Sequence, residues 1–395
     1  MRPMSLHCIM HGMPLAGYIT GYGIALVTRP DEQKAYQPEH HGTLRPQRSA
    51  SKRGCERINR PGRKQMLIIT RQDLAELVPM RVAIALMKQV FIELSAGCVT
   101  VPLRVPIEVP EAEGTTLIMP AYVPAVSGLG LKVVSVFPRN REQGLPTIHA
   151  AVLAVDPTTG APSALLDGTY LTALRTGAAS GAATDLLARP DSRILLCIGA
   201  GAQGPTQAWA VCSVRPIERI YVYDRQPAAA ASFAERFHRL APEIQAEVIA
   251  VTDLPAAVRE ADVICTATTS REPVFDDADL KPGVHINAIG AFTPEMQEIP
   301  IATVQRAYVV VDHVEAALAE AGDLLKALHA GAITPEHIRV ELGHVAAQQA
   351  PGRQSADQVT LFKSVGNAVQ DVIVAAHAVR AAQERGRGLE VDLSR

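Results

Sequence analysis

The sequence predicts an α/β protein in which a doubly wound parallel sheet is joined to a β-rich α+β domain. In the second half of the chain, apolar runs without polar alternation are separated by helical segments, which is typical of parallel strands buried on both faces. In the first half, short β-branched runs are punctuated by Pro and Gly, which favours antiparallel strands. A chain of 395 residues that is 48% hydrophobic is long enough to fill the cores of two such domains.

The first domain is predicted to begin at Met66 with a strand and two helices. Thr70 is placed to cap "RQDLAELV", and the second helix, "MRVAIALMKQVFIELSAG", is expected to end at Gly97. Strands are expected in "VPLRVPIEV", "GTTLIMPAYV", "GLGLKVVSVFP" and "IHAAVLAVDPTTGAPSALLDG", with a hairpin turn over 156–160. A long helix, "TYLTALRTGAASGAATDLLA", follows. Its small residues Gly177, Ala178, Gly181 and Ala182 predict that another backbone approaches this face closely.

The parallel sheet is predicted over residues 189–336. Its expected strands are "RILLCIG", "RIYVYDR", "AEVIAVT", "DVICTAT", "VHINAIG" and "AYVVVD". A last pair of helices is predicted over about 337–387, the stronger in "DQVTLFKSVGNAVQDVIVAAHAV", and is expected to pack back on the first domain. The first domain is therefore expected to be discontinuous, over residues 66–188 and 337–390.

Residues 1–65 differ in composition from the rest of the chain. They contain 11 Lys or Arg against 4 Asp or Glu, and from Gln37 onward they are polar and rich in Pro, Gly and Ser, which is typical of disorder. Since periodic structure begins at Met66, we favour the interpretation that Met66 is the true start of translation. The alternative is a targeting leader, but no convincing cleavage site follows the weakly apolar stretch "PLAGYITGYGIALV".

Composition also narrows the classes of partner. A net charge of −2 argues against a nucleic-acid partner. No uninterrupted apolar run reaches about 18 residues, so no membrane span is expected. The six cysteines are far apart and form no C-x-x-C pair, which favours reduced thiols in a cytoplasmic protein over a disulfide framework or a metal site.

The segment "ILLCIGAGAQGPTQAWA" predicts a dinucleotide site of the Rossmann type. Gly199, Gly201 and Gly204 form G-x-G-x-x-G between a predicted strand and a predicted helix, where glycines permit a tight turn and close approach to a pyrophosphate. Asp224 ends the next strand, 20 residues beyond Gly204, where a carboxylate would bind the ribose 2′-hydroxyl. This carboxylate favours NAD over NADP, but the neighbouring Arg225 leaves use of both cofactors open.

Three basic residues interrupt apolar or small-residue stretches of the first domain: Arg104, Lys132 and Arg175. Arg presents a fork that matches a carboxylate, and a buried Lys can transfer a proton when its pKa falls. Each could instead be a surface charge or a structural ion pair; position alone favours this alternative for Arg104 and leaves Lys132 and Arg175 undecided.

Several motifs, in their order along the chain, resemble the ornithine cyclodeaminase/mu-crystallin family. They are "GLGLKVVSVFP…GLPTIHA", "LRTGAASGAAT", "GAGAQG", "INAIGAFTPEMQEI" and "DQVTLFKSVGNAVQD", and the resemblance covers essentially 66–390. It implies a homodimer with a discontinuous substrate-binding and dimerisation domain and an inserted Rossmann domain. It also implies an NAD(P)-dependent enzyme that acts on a small imino or amino acid.

The resemblance further implies roles for single residues. Arg104, Lys132 and Arg175 would hold the substrate carboxylate, with Lys132 close to the reacting centre, and Thr147 would line the substrate and cofactor sites. The remaining cofactor contacts would come from Ala202 and Gln203 at the pyrophosphate, Asp224 at the ribose, Thr266 and Thr268 in the adenine-side loop, and Ser364 and Val365 at the nicotinamide edge.

Phe292 departs from the ornithine cyclodeaminases that the chain resembles, because these carry an Asp there as general base. A Phe can neither accept a proton nor pair with an ammonium group, and Glu295 and Glu298 are the nearest carboxylates that could substitute. Without the base, reduction of a preformed cyclic imine is favoured, and Phe292 would make the substrate pocket more apolar. We therefore expect an imine reductase acting on an acid such as Δ1-pyrroline-2-carboxylate. The alternatives are an ornithine cyclodeaminase, an alanine dehydrogenase-like enzyme, and a nucleotide-binding protein without turnover.

Overall fold

The computed structural model describes residues 65–394, which form two seven-stranded sheets and the helices that cover them. The predictions made for the leader fall on residues 1–64 and lie outside the described residues. None of the helices within residues 65–394 is long and apolar enough to cross a membrane.

The first sheet contains the predicted antiparallel strands. In spatial order it runs β14 (Leu389–Asp392), β1 (Gln65–Ile69), β6 (Pro162–Asp167), β5 (Ile148–Val155), β4 (Gly128–Val136), β3 (Gly114–Val123) and β2 (Val105–Val109). All neighbours are antiparallel except β1 and β6. The predicted turn between β5 and β6 is confirmed, with Asp156 Oδ1 accepting from Thr158 N at 2.8 Å and Gly160 in the left-handed region at φ +72°.

Four long or well-capped helices accompany this sheet: α1 (Arg71–Leu77), α2 (Met80–Ser95), α3 (Gly168–Leu187) and α12 (Ala368–Arg385). Thr70 caps α1 as predicted, because its hydroxyl accepts from Asp73 N while the Asp73 carboxylate accepts from Thr70 N at 2.9 Å. Helix α12 packs on β3, β4 and β5 and also contacts α2 and α3. It therefore covers the inner face of the sheet, as expected for a segment that returns from the second domain.

The second sheet is parallel throughout, as predicted. Its spatial order is β12 (Tyr308–Val311), β13 (Thr360–Lys363), β11 (His285–Ala288), β10 (Val263–Thr266), β7 (Ile194–Ile198), β8 (Arg219–Tyr223) and β9 (Glu247–Ala250). The helices around it are α4 (Gly204–Val214), α5 (Pro227–Ala231), α6 (Phe233–Leu240), α7 (Leu254–Glu260), α8 (Ile301–Arg306), α9 (Val314–Glu320), α10 (Gly322–His329) and α11 (Leu342–Ala346).

Both faces of the second sheet are buried, which explains the apolar runs without alternation. Leu195 and Cys197 of β7 belong to one core, whereas Leu196 and Ile198 belong to the other. The first of these cores continues through α3 and α4 into the core of the first sheet. The doubly wound sheet is thus confirmed, and the two sheets share part of one core.

One prediction for the C-terminal part is wrong. Residues Thr360–Lys363 form β13, between β11 and β12 in the parallel sheet, and not the start of a helix. Gly366 lies at φ +74°, and α12 begins only after Asn367, whose Oδ1 accepts from Val369 N at 3.0 Å. The chain therefore joins the first sheet again at α12, and the predicted boundary at residue 337 is too early for the strand that pairs in the second sheet.

The predicted close approach to α3 is confirmed. A Cβ on Gly177 would lie 2.5 Å from the carbonyl oxygen of Thr206 in α4, and one on Gly181 would lie 2.7 Å from Ile84 Cδ1 in α2. The glycines let α3 pack between α2 and α4, which joins the first domain to the start of the dinucleotide motif.

We expect Gly177→Ala to destabilise the protein by about 1–2 kcal/mol, because overpacking against the Thr206 carbonyl exceeds the gain of about 1 kcal/mol in helix propensity. Urea unfolding of the cofactor-free protein measures the change. Gly201→Ala is the matched control, since a Cβ there has no atom within 4 Å and should leave the free energy of unfolding unchanged. Equal stability of the two variants would contradict the packing argument.

Candidate active site

The three glycines of the motif lie at the carboxyl end of β7 and have different surroundings. A Cβ on Gly199, which has φ +103°, would lie 2.6 Å from Ala267 O, and one on Gly204 would lie 2.7 Å from Gly199 O. A Cβ on Gly201 would contact no atom within 4 Å. Packing thus requires the first and third glycines, whereas the second faces open space beside the N-terminus of α4. Such a cradle fits the pyrophosphate of a dinucleotide.

Asp224 follows β8, the parallel neighbour of β7, so the two strand ends lie side by side. Its carboxylate accepts hydrogen bonds from Ala200 N and Gln226 N, both at 2.8 Å. Arg225 beside it is exposed. The guanidinium of Arg236 donates to Ala200 O at 2.6 Å and to Gly201 O at 3.2 Å, so a cation that the sequence did not indicate also borders the cradle. Ala202 and Gln203 lie in the intervening turn, and Gln203 is the N-cap of α4.

The structure brings Lys132 and Arg175 together around a buried carboxylate. Lys132 Nζ lies 2.7 Å from Oδ2 of Asp371, and Arg175 Nε donates to Oδ1 of the same residue at 3.1 Å. Arg175 Nη1 also donates to Gln370 Oε1 at 2.6 Å. The two cations lie on β4 and α3 and the carboxylate lies on α12, so three elements distant in sequence meet at one ion-pair cluster.

The cluster changes the ionisation of Lys132, which is 1% exposed. Burial lowers its pKa to about 7, and the positive charge of Arg175 lowers it as well. The Asp371 carboxylate raises this pKa, and the charge of Arg104 lowers it. A lysine with a pKa near neutrality can both donate and accept a proton at physiological pH.

Arg104 lies just before β2 and joins the cluster to the second domain. Its Nη2 donates to the carbonyl oxygens of Val365 and Gly366, each at 3.1 Å, and it forms an ion pair with Glu320 at the end of α9. Burial raises the pKa of Glu320, whereas the charge of Arg104 opposes this rise. The ion pair with Glu320 matches the structural alternative considered for Arg104, and the hydrogen bonds to Val365 and Gly366 place its side chain next to the loop after β13.

The loop after β13 connects the cluster to the parallel sheet. Ser364 Oγ donates to Asp312 Oδ2 at 2.7 Å, and Gly366 N donates to the same oxygen at 2.8 Å. A Cβ on Gly366 would lie 2.6 Å from Arg175 Nη1, so the backbone passes directly over that guanidinium. Ser364 and Val365 are thus held between the strand ends of the parallel sheet and the cationic cluster.

Thr147 is not brought to the cluster. Its carbonyl oxygen accepts from Phe137 N at 2.8 Å, which places it five residues along β4 from Lys132. At 3.3 Å per residue this is about 17 Å. A role for Thr147 beside the substrate carboxylate is therefore not supported by the register of the strands.

Thr266 is the last residue of β10 and Thr268 lies in the loop that follows, and the two differ in exposure. Thr266 has no exposed area, and its hydroxyl donates to Glu298 Oε2 at 2.9 Å, so it cannot contact a cofactor in this conformation. This burial does not support the expected cofactor contact by Thr266. Thr268 is half-buried and its Cγ2 lies 3.1 Å from the position of a Cβ on Gly199, next to the cradle.

Of the two carboxylates considered as substitutes for an acid at position 292, Glu298 does not serve that purpose. Phe292 is half-buried and packs against the second core. Glu298 is fully buried and accepts hydrogen bonds from backbone groups of two loops, and Glu295 is exposed. Glu298 therefore holds loop conformations and is not available as a base.

Sequence reasoning missed Asp371, Glu320 and Asp312. Asp371 lies in the quoted motif "SVGNAVQD", in a helix whose other buried residues are apolar except for the adjacent Gln370. A polar pair in such an apolar helix is the signal that could have identified it. No comparable signal precedes Glu320, because its partner Arg104 is 216 positions away.

The fold and site define a two-sheet α/β protein with a dinucleotide cradle beside a buried cationic cluster. The chain belongs to the ornithine cyclodeaminase/mu-crystallin family, whose model matches residues 64–386. A Δ1-pyrroline-2-carboxylate reductase of Bacillus cereus is 40% identical over 328 residues, which are 83% of this chain and 100% of that protein.

Two solved structures are similar over the same region. A Δ1-pyrroline-2-carboxylate reductase of Thermococcus litoralis, in complex with NADH and L-proline, is 43% identical with a TM-score of 0.79 and covers 82% of this chain and 100% of its own. An archaeal alanine dehydrogenase dimer with bound NAD is 33% identical with a TM-score of 0.76 and covers 83% of this chain and 99% of its own.

Proposed function

We propose that this protein is an NAD(P)H-dependent imine reductase that converts a cyclic imino acid such as Δ1-pyrroline-2-carboxylate to the amino acid, here L-proline. The observation that carries the proposal is the buried Lys132 with a pKa of about 7, set among cations beside the dinucleotide cradle. The two similar reductases named above support the substrate class.

The charges of the cluster leave room for one substrate carboxylate. Its three cations, Arg104, Lys132 and Arg175, share two ion-paired carboxylates, those of Asp371 and Glu320. The arrangement therefore accepts one more negative charge, and a guanidinium fork suits a carboxylate in particular.

When bound, the nicotinamide supplies the hydride for the carbon of the C=N bond. Arg104 and Arg175 hold the substrate carboxylate, which orients the ring. Lys132, in its protonated form, gives a proton to the nitrogen, and Asp371 stabilises that form until the transfer. Phe292 supports an apolar wall for the ring.

The NAD cofactor is supported by the Asp224 carboxylate, which would bind ribose hydroxyls and repel a 2′-phosphate. Two similar structures contain NADH or NAD. Arg225 and Arg236 are cations near this point, so NADPH is included as the second cofactor to be measured.

Cyclodeamination is less well supported. Besides the proton transfer that Lys132 can perform in either direction, it requires a further base for the second substrate amine, and Phe292 and the fully engaged Glu298 do not provide one. An alanine dehydrogenase-like activity is the second candidate, because the similar archaeal structure carries that name.

The purified protein should oxidise NADH in the presence of Δ1-pyrroline-2-carboxylate and form L-proline. The measurement is a coupled assay over cyclic and open-chain imino acids, with both NADH and NADPH. L-Ornithine and L-alanine are run in parallel. Ammonia release from ornithine without net NADH change would establish a cyclodeaminase instead, and cofactor binding without any turnover would establish a binding protein.

The rate of imine reduction should depend on pH through Lys132. Because the protonated form donates, kcat/KM should fall as pH rises above about 7. Since the carboxylate of Asp371 raises the pKa of Lys132, Asp371→Asn should move this midpoint to lower pH. The exposed Asp357→Asn is the matched control and should keep the wild-type midpoint. An unchanged midpoint in folded Asp371→Asn would rule out Lys132 as the titrating donor.

We further propose a homodimer built on the outer face of the first sheet. Lys132 points inward, so its neighbours on β4 point outward, and the outward row across four strands is apolar and half-buried. The members of this row are Pro120, Leu131, Leu153 and Leu165. A continuous apolar sheet face of this kind is typical of a subunit interface, and one similar structure is described as a dimer.

Leu131→Glu should therefore convert a dimer to a monomer, because it places a charge in the centre of that face. Light scattering after size-exclusion chromatography measures the mass. Leu318→Glu introduces the same charge at a 37% exposed position of α9 and should remain dimeric. A monomeric wild-type protein, or a dimeric and folded Leu131→Glu, would contradict the proposed interface.

A further inference from the structure

Three charged residues in the second domain are fully buried and have no part in the proposed reaction: Glu298, Asp323 and Lys363. Lys363 Nζ lies 2.8 Å from Asp323 Oδ2. Asp323 Oδ1 accepts from Glu298 N at 2.6 Å and from Ile299 N at 2.9 Å. Lys363 therefore fixes Asp323, and Asp323 fixes the backbone at Glu298.

The carboxylate of Glu298 in turn holds two loops. Its Oε1 accepts from Thr268 N at 2.6 Å, in the loop after β10. Its Oε2 accepts from Gly290 N at 2.7 Å and Ala291 N at 3.2 Å, in the loop after β11, and from the Thr266 hydroxyl at 2.9 Å. One side chain thus accepts four hydrogen bonds from residues that follow or end two adjacent parallel strands.

These loops border the dinucleotide cradle. A Cβ on Gly199 would lie 2.6 Å from Ala267 O and 3.1 Å from Thr268 Cγ2, so the loop after β10 contacts the first glycine of the motif directly. Lys363 leads straight into Ser364 and Val365, the third loop on the same edge. The three buried residues therefore connect the loops that follow β10, β11 and β13, at the edge where a doubly wound sheet binds its ligand.

Connecting loops through buried charges has an unfavourable desolvation free energy, because each ion loses its hydration. Burial raises the pKa of Glu298, the charge of Lys363 lowers it, and that of Asp323 raises it. An ionised carboxylate is nevertheless the only side chain of this length whose two oxygens accept from four donors and donate to none. The arrangement suits loops whose backbone N–H groups must all point inward, away from the ligand.

We propose that Glu298 is a positioning residue for the dinucleotide: it holds the loops after β10 and β11 in the conformation that keeps the cradle open, and Asp323 and Lys363 fix it in place. The proposal rests on the proposed function only in taking a nicotinamide dinucleotide as the ligand. It concerns binding of the cofactor and not transfer of the proton, which belongs to the Lys132 cluster.

The test is Glu298→Gln in the full chain, with NADH binding measured by fluorescence titration in the absence of any imino acid. A Gln amide presents a donor to backbone N–H groups that the carboxylate accepts from, so we expect the Kd for NADH to rise about tenfold or more, which is about 1.4 kcal/mol of binding free energy. The KM for NADH should rise in parallel, whereas the KM for the imino acid should change little.

Two further variants complete the test. Glu295→Gln, an exposed neighbour in the same loop, should bind NADH as the wild type does. Thr266→Val removes one of the four hydrogen bonds and, if Glu298→Gln fails to fold, should still fold cooperatively and show a smaller rise in Kd. A folded Glu298→Gln with wild-type Kd would overturn the proposal, as would an equal loss of affinity for NADH and imino acid.

The result of the NADH-binding series can be distinguished from the result of the imine-reduction assay. If the wild type binds NADH but reduces no imine, the proposed function fails while the binding series still decides the role of Glu298. If the imine is reduced and the Kd series is flat, only the role of Glu298 fails.

Discussion

The candidate site depends on the Asp371 carboxylate. It is the counter-charge within 3.1 Å of both Lys132 and Arg175, all three of which are buried. An unpaired charge in such a place would be destabilising, so this carboxylate stabilises both cations in their inward positions. The position of α12 across β3, β4 and β5 is what brings the carboxylate there. The discontinuous course of the chain is therefore a requirement of the site as well as a feature of the topology.

The same course links the cluster to the cradle. The chain leaves β13 at Lys363, is held by Asp312 through Ser364 and Gly366, passes over Arg175, and enters α12. Arg104 completes the link from the other side through Val365, Gly366 and Glu320. Substrate-holding groups on the first sheet and the ligand edge of the second are thus joined by a few backbone hydrogen bonds, so small movements of this loop would affect both.

The sequence predicts those parts of the site whose residues lie close together in the chain, and it does not predict contacts between residues that are far apart in the chain. The cradle is local, since its glycines and Asp224 lie within one strand–helix–strand unit, and their spacing identified them. The cluster is not local: its cations come from separate elements, and only the resemblance to the family suggested that they meet. The sequence of β13 predicts a helix because all four of its residues are buried, so it shows no alternation, and because it contains the charged Lys363. In the fold this charge is paired with Asp323, which lies 40 residues earlier in the chain. Such long-range ion pairing arises from the fold and is not visible in the hydrophobic periodicity of the sequence.

The absence of an acid at Phe292 has a wider consequence when the other carboxylates are considered. Among the described residues around the site, Asp371 and Glu320 are in ion pairs, Asp312 accepts from Ser364 and Gly366, and Glu298 has all its acceptor positions occupied. The charged group of the cluster that can exchange a proton near pH 7 is Lys132, whose pKa burial lowers to about 7. A single lysine that is half protonated at neutrality suits a reaction needing one proton at nitrogen. Cyclodeamination also needs a base to free a second amine for ring closure. The arrangement of charged groups therefore favours reduction of an imine whose ring is already formed.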